Sequence, residues 1–205
     1  MTGTGENRKK RDYYEKRDII LEGASKVFIE KGFSASSMDE IADVAGVSKR
    51  TVYNHFFSKE NLFQTIAADF LRERDENRHI EYSQADTVNV QLKEFIKAEL
   101  YLVDDPVRRG LTKLLTSTFL IDVEVGNTAL SLYQPYSGFI AWLNAAKDNK
   151  KLSFETPEPV ARIFYGLIEG CLIWPALLSG EDSLKNAEPM VDEIITVFIS
   201  RYGGR

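Results

Sequence analysis

Residues 37–63 read SMDEIADVAGVSKRTVYNHFFSKENLF, and their spacing lays out a short helix, a tight turn, a second helix and the first turn of a third. Ser37 is suited to the N-cap, and Glu40 three residues on completes a capping-box pattern. Ile41, Ala42, Val44 and Ala45 supply an apolar face, with Asp39 and Asp43 turned outward. Gly46 stands where the helix must stop, the place that favours a left-handed residue because no Cβ clashes there. Val47 then turns inward and Ser48 caps the next helix. Val52 and Phe56, four residues apart, share its buried side, so Lys49, Arg50, Tyr53 and Asn54 point away. A short helix with an apolar underside and an outer side of Lys, Arg, Tyr, Asn and His suits a DNA major groove. The stretch reads as a helix-turn-helix.

Upstream, a helix is expected from about Asp12 to Lys31, with Ile20, Leu21, Ala24, Val27 and Phe28 as its inner stripe. Gly32 ends it, and Phe33 is placed to fold back on Phe28. Residues 1–11, with the run Arg8–Lys9–Lys10–Arg11, read as a flexible basic arm. A solvated lead-in is the plainer use of that arm, and a minor-groove contact the sharper one. Three short helices bury little surface, so the helix opening at Ser58 must help, through Leu62, Phe63, Ile66, Phe70 and Leu71. Its charged run RERDENRH (72–79) reads as an exposed far end. The expected organisation is an arm (1–11), a helix-turn-helix domain (12–57), a connecting helix (58–80) and a larger domain (81–205).

Past residue 80 the pattern is helical throughout, without strand alternation or hairpin signals, so the fold class is all-α. Helices are expected at about 87–103, from Pro106 to about 123, 127–146 with a break at Pro135, 158–179 and 189–202. The stretch 158–179 is apolar nearly all round, with Arg162 and Glu169 as its only charges beyond the first turn, so it must be covered on more than one side. Val191, Ile194, Ile195 and Phe198 give the last helix a stripe that Met190, Val197 and Ile199 widen. A four-helix bundle formed by these two helices and their copies in a second subunit is the simplest burial. Gly166 and Gly170, four apart, would let helices approach closely.

The run IADVAGVSKRTVYNHFFSKENLF resembles the DNA-binding signature of TetR-type transcriptional repressors, roughly IA-x-x-AGVS-x-G-T-aliphatic-Y-x-HF-x-SKE-x-L. Ile41, Ala42, Ala45, Gly46, Val47, Ser48, Thr51, Tyr53, His55, Phe56, Ser58, Lys59, Glu60 and Leu62 stand in register without a gap. Arg50 departs from the pattern, which usually has Gly or another small residue there. The resemblance implies that Thr51, Tyr53, His55 and Lys59 hold phosphates. Plainer alternatives are a solvated lysine at 59, His55 capping its own helix end and Tyr53 braced against the first helix. Lys49 and Arg50, at the start of the recognition helix, are the candidates for reading bases, Arg50 through a guanine edge or else by touching phosphate alone, and Asn54 one turn on could pair with adenine or lie too far along to reach a base. Ser36 and Ser37, at the head of the preceding helix, are placed for a flanking phosphate. The family also pairs through its last two helices, in agreement with the bundle above.

At 205 residues and 43% apolar the chain suits a soluble globular protein. A net charge of −5 is unevenly spread: residues 1–60 carry 11 Lys/Arg against 10 Asp/Glu, the remainder 15 against 21. One cysteine, Cys171, excludes an internal disulfide, and neither a signal peptide nor a membrane-length apolar run is legible, so a cytoplasmic location is expected. Two histidines and one cysteine cannot make an ordinary zinc site, and no phosphate-binding Gly loop or H-E-x-x-H occurs. No enzyme, cofactor or metal is expected. The larger domain is rich in aromatics; Tyr101, Phe119, Tyr133, Tyr136, Trp142, Phe164 and Trp174 are the candidate walls of a ligand pocket, although each singly reads as core. Pro175 would free the Cys171 carbonyl as a polar anchor. The expected function is a homodimeric DNA-binding regulator, a repressor released by a neutral or weakly polar small molecule. The alternative is an activator or architectural DNA binder without such a ligand.

Overall fold

The computed structural model describes residues 3–121, 136–179 and 187–204. The described residues are helical, without a β-strand among them: α1 (Gly3–Lys31), α2 (Met38–Ala45), α3 (Lys49–His55), α4 (Lys59–Asn77), α5 (Val88–Leu100), α6 (Pro106–Ile121), α7 (Ser137–Asp148), α8 (Pro157–Ile168), a π-helical turn (Glu169–Ile173), α9 (Trp174–Ser179) and α10 (Glu188–Tyr202). The chain divides into two compact units, Met1–Phe70 with Leu114–Leu132, and Leu71–Lys113 with Tyr133–Arg205. The division falls inside α4, within the segment read as a connecting helix.

The first unit is built as its caps dictate. Ser37 and Glu40 exchange both bonds of a capping box, and Gly46 ends α2 at φ 65°, its N–H bonding back to Ala42 and Asp43 carbonyls. Ile20, Ala24, Val27 and Phe28 of α1 meet Ile41, Ala42, Val52, Phe56, Leu62 and Phe63 in a common core. Phe33 folds back as expected, 5.8 Å from the Phe28 ring and 4.8 Å from Phe63. A Cβ on Gly23 would lie 2.9 Å from the Ala45 Cβ, so α1 and α2 touch through a residue with no side chain. Two expectations fail here. Val44 is half exposed rather than buried, because Ile41 and Ala42 already face α1. Helix α1 also begins at Gly3, so the segment expected to be a flexible arm is helical from there on.

The second unit packs α5, α7, α8 and α10 around a cluster of rings: Phe139 stacks on Phe164 at 4.7 Å and meets Phe95 edge-on at 4.7 Å, and Phe164 meets Phe198 edge-on at 5.0 Å. Buried Trp142 donates its Nε1–H to Gln91 at 2.8 Å. The C-terminal end is fastened by backbone bonds, Ser153 N to Tyr202 O and Gly204 N to Lys151 O, each 2.8 Å. A side chain at Gly204 would collide with the Lys150 carbonyl, which explains the glycine.

The expected helix over 158–179 forms, but with a π turn in it where the Trp174 N–H reaches back to the Glu169 carbonyl. Pro175 lacks an N–H and crowds the carbonyl four residues back, and a widened turn accommodates it. By length and composition Pro157–Ser179 is apolar enough to cross a membrane, contrary to the sequence reading, although half of the window is buried within the protein. Its other side is open: Ile163, Gly166, Gly170, Trp174 and Leu178 are exposed, as are Met190 and Val197 on α10. Among the described residues, nothing lies within 4 Å of a Cβ built on Gly166 or Gly170. The break expected at Pro135 lies outside the described residues.

Candidate nucleic-acid interface

Helix α3 is seven residues long, and Ser48 starts it by accepting the Thr51 N–H at 3.1 Å. Val52 is wholly buried and Phe56 nearly so, which fixes the opposite side outward. Lys49, Arg50, Tyr53 and Asn54 are exposed together on that side, as the spacing predicts. Thr51 is half-buried, its hydroxyl 2.8 Å from that of Ser48. Lys49 is not a bare cation. Its ammonium lies 2.7 and 2.9 Å from the two carboxylate oxygens of Asp39 on α2, and that hydrogen bond raises its pKa. Among the described residues Arg50 makes no ion pair.

Two other candidates have different surroundings from those expected. The Lys59 ammonium donates to the carbonyls of Phe33, Ser34 and Ser36 at 2.8, 3.2 and 3.0 Å and lies 4.6 Å from the Phe33 ring centre. All three of its donors are used in holding the loop between α1 and α2, so Lys59 clamps that loop instead of pointing a free charge outward. Ser36 is buried, and its hydroxyl donates to the Gly32 carbonyl at 2.5 Å. That leaves Ser37, which is exposed at the head of α2, as the serine beside the free N–H groups. His55 is half-covered by Tyr13 of α1, with ring centres 4.2 Å apart, and its Nδ1 is buried without a hydrogen-bond partner. Burial, then the charges of Lys16 and Arg17, lower its pKa, so the ring is neutral near pH 7.

The described aromatic candidates of the second unit have different surroundings. Trp142 and Phe164 are fully buried in the stacked core, whereas Trp174 is 44% exposed. The Tyr101 hydroxyl donates to Glu73 at 2.6 Å, beneath the Arg108 guanidinium. Phe119 groups with the other unit, and Tyr133 lies outside the described residues. Tyr136 borders a cavity of about 40 Å³, lined also by Asp75, Arg78, His79, Phe139 and Tyr165. At about 10–15 Å³ of accessible volume per water, it has room for about three waters and none for an aromatic effector.

Beside it stands a group of buried charges at the end of α4 that was expected to be exposed. Glu99 is fully buried and receives both Arg78 and, at 3.0 Å, Arg74; Glu169 approaches Arg74 at 3.5 Å. The Arg78 guanidinium also lies 4.4 Å from the Tyr165 ring centre. Burial works to raise the Glu99 pKa, but the two guanidiniums outweigh it and hold the carboxyl below its usual range.

Comparison with known proteins gives the family. Residues 20–66 match the profile of "Bacterial regulatory proteins, tetR family", and residues 90–204, more than half of the chain, match "AefR-like transcriptional repressor, C-terminal domain". The chain belongs to the TetR family of regulators. Among curated TetR relatives, the HTH-type transcriptional activator FasR of Mycolicibacterium smegmatis is 50% identical over 60 residues, 29% of this chain and 26% of FasR. The HTH-type transcriptional repressor BepR of Brucella suis is 42% identical over 59 residues, 29% of this chain and 28% of BepR. These matches therefore span little more than a quarter of either relative. A TetR family regulator from Pseudomonas syringae superposes with TM-score 0.77 at 27% identity, over 92% of this chain and 97% of that one.

Within this TetR chain, sequence reasoning passed over Asp39, the loop-clamping part of Lys59 and the Arg74–Arg78–Glu99 group. The spacing of Arg74 and Arg78, one turn apart, was a usable signal; their partner twenty-one residues beyond Arg78 on another helix was not.

Proposed function

We propose that the protein is a two-fold DNA-binding transcriptional regulator whose α3 helices enter successive major grooves. One observation carries this reading: Lys49, Arg50, Tyr53 and Asn54 stand exposed on a capped helix whose underside, Val52 and Phe56, is locked into the core. Arg50 is the base reader, through guanine O6 and N7, and Thr51, Tyr53, His55 and Ser37 hold phosphates. Selection of binding sites from random duplex DNA tests it; failure of the intact assembly to enrich any sequence at low salt would end it.

The partner is a second copy, seated on the exposed apolar stripe of α8, α9 and α10. Gly166 and Gly170 with open space above them favour close helix packing there, and isolated apolar residues would not need that arrangement. Repression, and release by a small molecule bound in the larger domain, follow the family to which residues 90–204 are matched. The cavity beside Tyr136 is too small for such a ligand, which would take another site in the larger domain or a space that opens on binding. It predicts that DNA lowers ligand affinity by the factor by which ligand lowers DNA affinity. Equal ligand affinity with and without DNA would remove induction and leave DNA binding standing. Activation without a ligand is the second reading, favoured by the 60-residue likeness to an activator, FasR. Either reading places the protein in the cytoplasm, where the DNA is.

A further inference from the structure

The pair between Lys49 and Asp39 joins the two helices of the interface at the point where a duplex would arrive. Its two ends are differently placed. Asp39 lies in the first turn of α2, where the unpaired N–H groups favour a carboxylate; Lys49 lies in the first turn of α3, where they disfavour a cation. Helix α3 has no acidic residue in that turn to compensate. Within the described protein, what rewards the Lys49 ammonium is the Asp39 carboxylate across the turn, held through two oxygens at 2.7 and 2.9 Å. The turn itself is fixed by Gly46 at φ 65° and by the Val47 N–H bonded to the Ala42 carbonyl at 3.0 Å, so the two helix starts keep their spacing.

Both side chains are about three-fifths exposed, 59% for Lys49 and 61% for Asp39. An incoming phosphate therefore meets a neutral pair where a lone lysine would offer a positive charge. Arg50, the next residue, has no such restraint among the described residues, so adjacent cations on one helix are prepared differently. We propose that Asp39 is a specificity-determining residue: it holds Lys49 off the phosphate backbone, so Lys49 adds affinity only where a base edge replaces the carboxylate. Guanine, with its O6 and N7 acceptors side by side, is the edge that fits an ammonium. The inference rests on the DNA-binding reading above.

The test uses the full-length protein, the duplex selected by the wild type from a random pool, and a scrambled duplex of equal length. Affinities for both are measured against salt for wild type, D39N, K49A and D39N/K49A, with a thermal melt to confirm that each is folded. D39N should tighten the scrambled duplex about two- to fivefold, the range of an exposed ion pair, and steepen its salt slope by about 0.9, the mark of one more phosphate neutralised. The selected duplex should gain less, so the ratio between the two falls. In the K49A background D39N should have no such effect. An unchanged ratio and slope in D39N overturns the proposal. So does a D39N effect that survives in K49A, since the carboxylate would then act by repulsion alone. If the wild type itself binds no duplex at low salt, the DNA-binding reading fails first and this inference with it.

Discussion

Lys59 belongs to the family motif, yet its charge is turned onto the protein's own backbone. Its ammonium spends three donors on the carbonyls of Phe33, Ser34 and Ser36. Lys59→Met should therefore destabilise the first unit by about 1–3 kcal/mol, the range for losing hydrogen bonds to a charged group, as read by urea denaturation. The salt slope of DNA binding by the folded fraction should stay unchanged; a slope flatter by about 0.9 would return Lys59 to the phosphates. His55 makes a pH-dependent contribution. Its folded pKa is lowered by burial and then by Lys16 and Arg17. The unfolded chain thus takes up the proton first, and stability should fall as pH drops from about 6.5, the ordinary value, towards the folded value. The loss should be smaller in His55→Gln, and identical pH profiles would show that the ring is not desolvated.

Among the elements, the helix-turn-helix was legible because each of its signals is local. Ser37, Glu40, Gly46 and Ser48 act within one turn of themselves, and the structure uses all four as caps. Gly46→Ala should cost about 1–2 kcal/mol, the penalty of a left-handed residue with a Cβ, and a calorimetric melt at wild-type temperature would contradict it. Partners distant in sequence were not legible. RERDENRH looks like any solvated helix end, yet Glu99 on α5 draws Arg74 and Arg78 into the interior. Glu99→Ala leaves those guanidiniums facing each other and should cost about 3–5 kcal/mol. The Glu99 contribution should be present above its ordinary carboxylate pKa and be lost as pH falls through the lower folded value. The aromatic positions meet the same limit: helical periodicity marks Trp142 and Phe164 as inward, but only the fold shows both rings stacked on Phe139.

As a whole, the molecule needs a second copy to present two α3 helices to a two-fold site. The stripe of Ile163, Trp174 and Leu178 along α8 and α9, with Met190 and Val197 on α10, is exposed among the described residues. Leu178→Glu should convert a two-chain species into single chains in sedimentation equilibrium while keeping helicity, and an unchanged mass would move the partner elsewhere. Loss of pairing should weaken operator binding far more than binding to a single half-site, because two α3 helices must engage together. The measurement that bears most directly on the central claim is selection from random duplexes by wild type and by Arg50→Ala. The account predicts two-fold symmetric sites with half-site centres about 34–36 Å apart or a multiple of that. It further predicts that Arg50→Ala loses about 1–3 kcal/mol of discrimination at one base pair per half-site. Enrichment of no symmetric sequence, or the same base preference in both proteins, would contradict it.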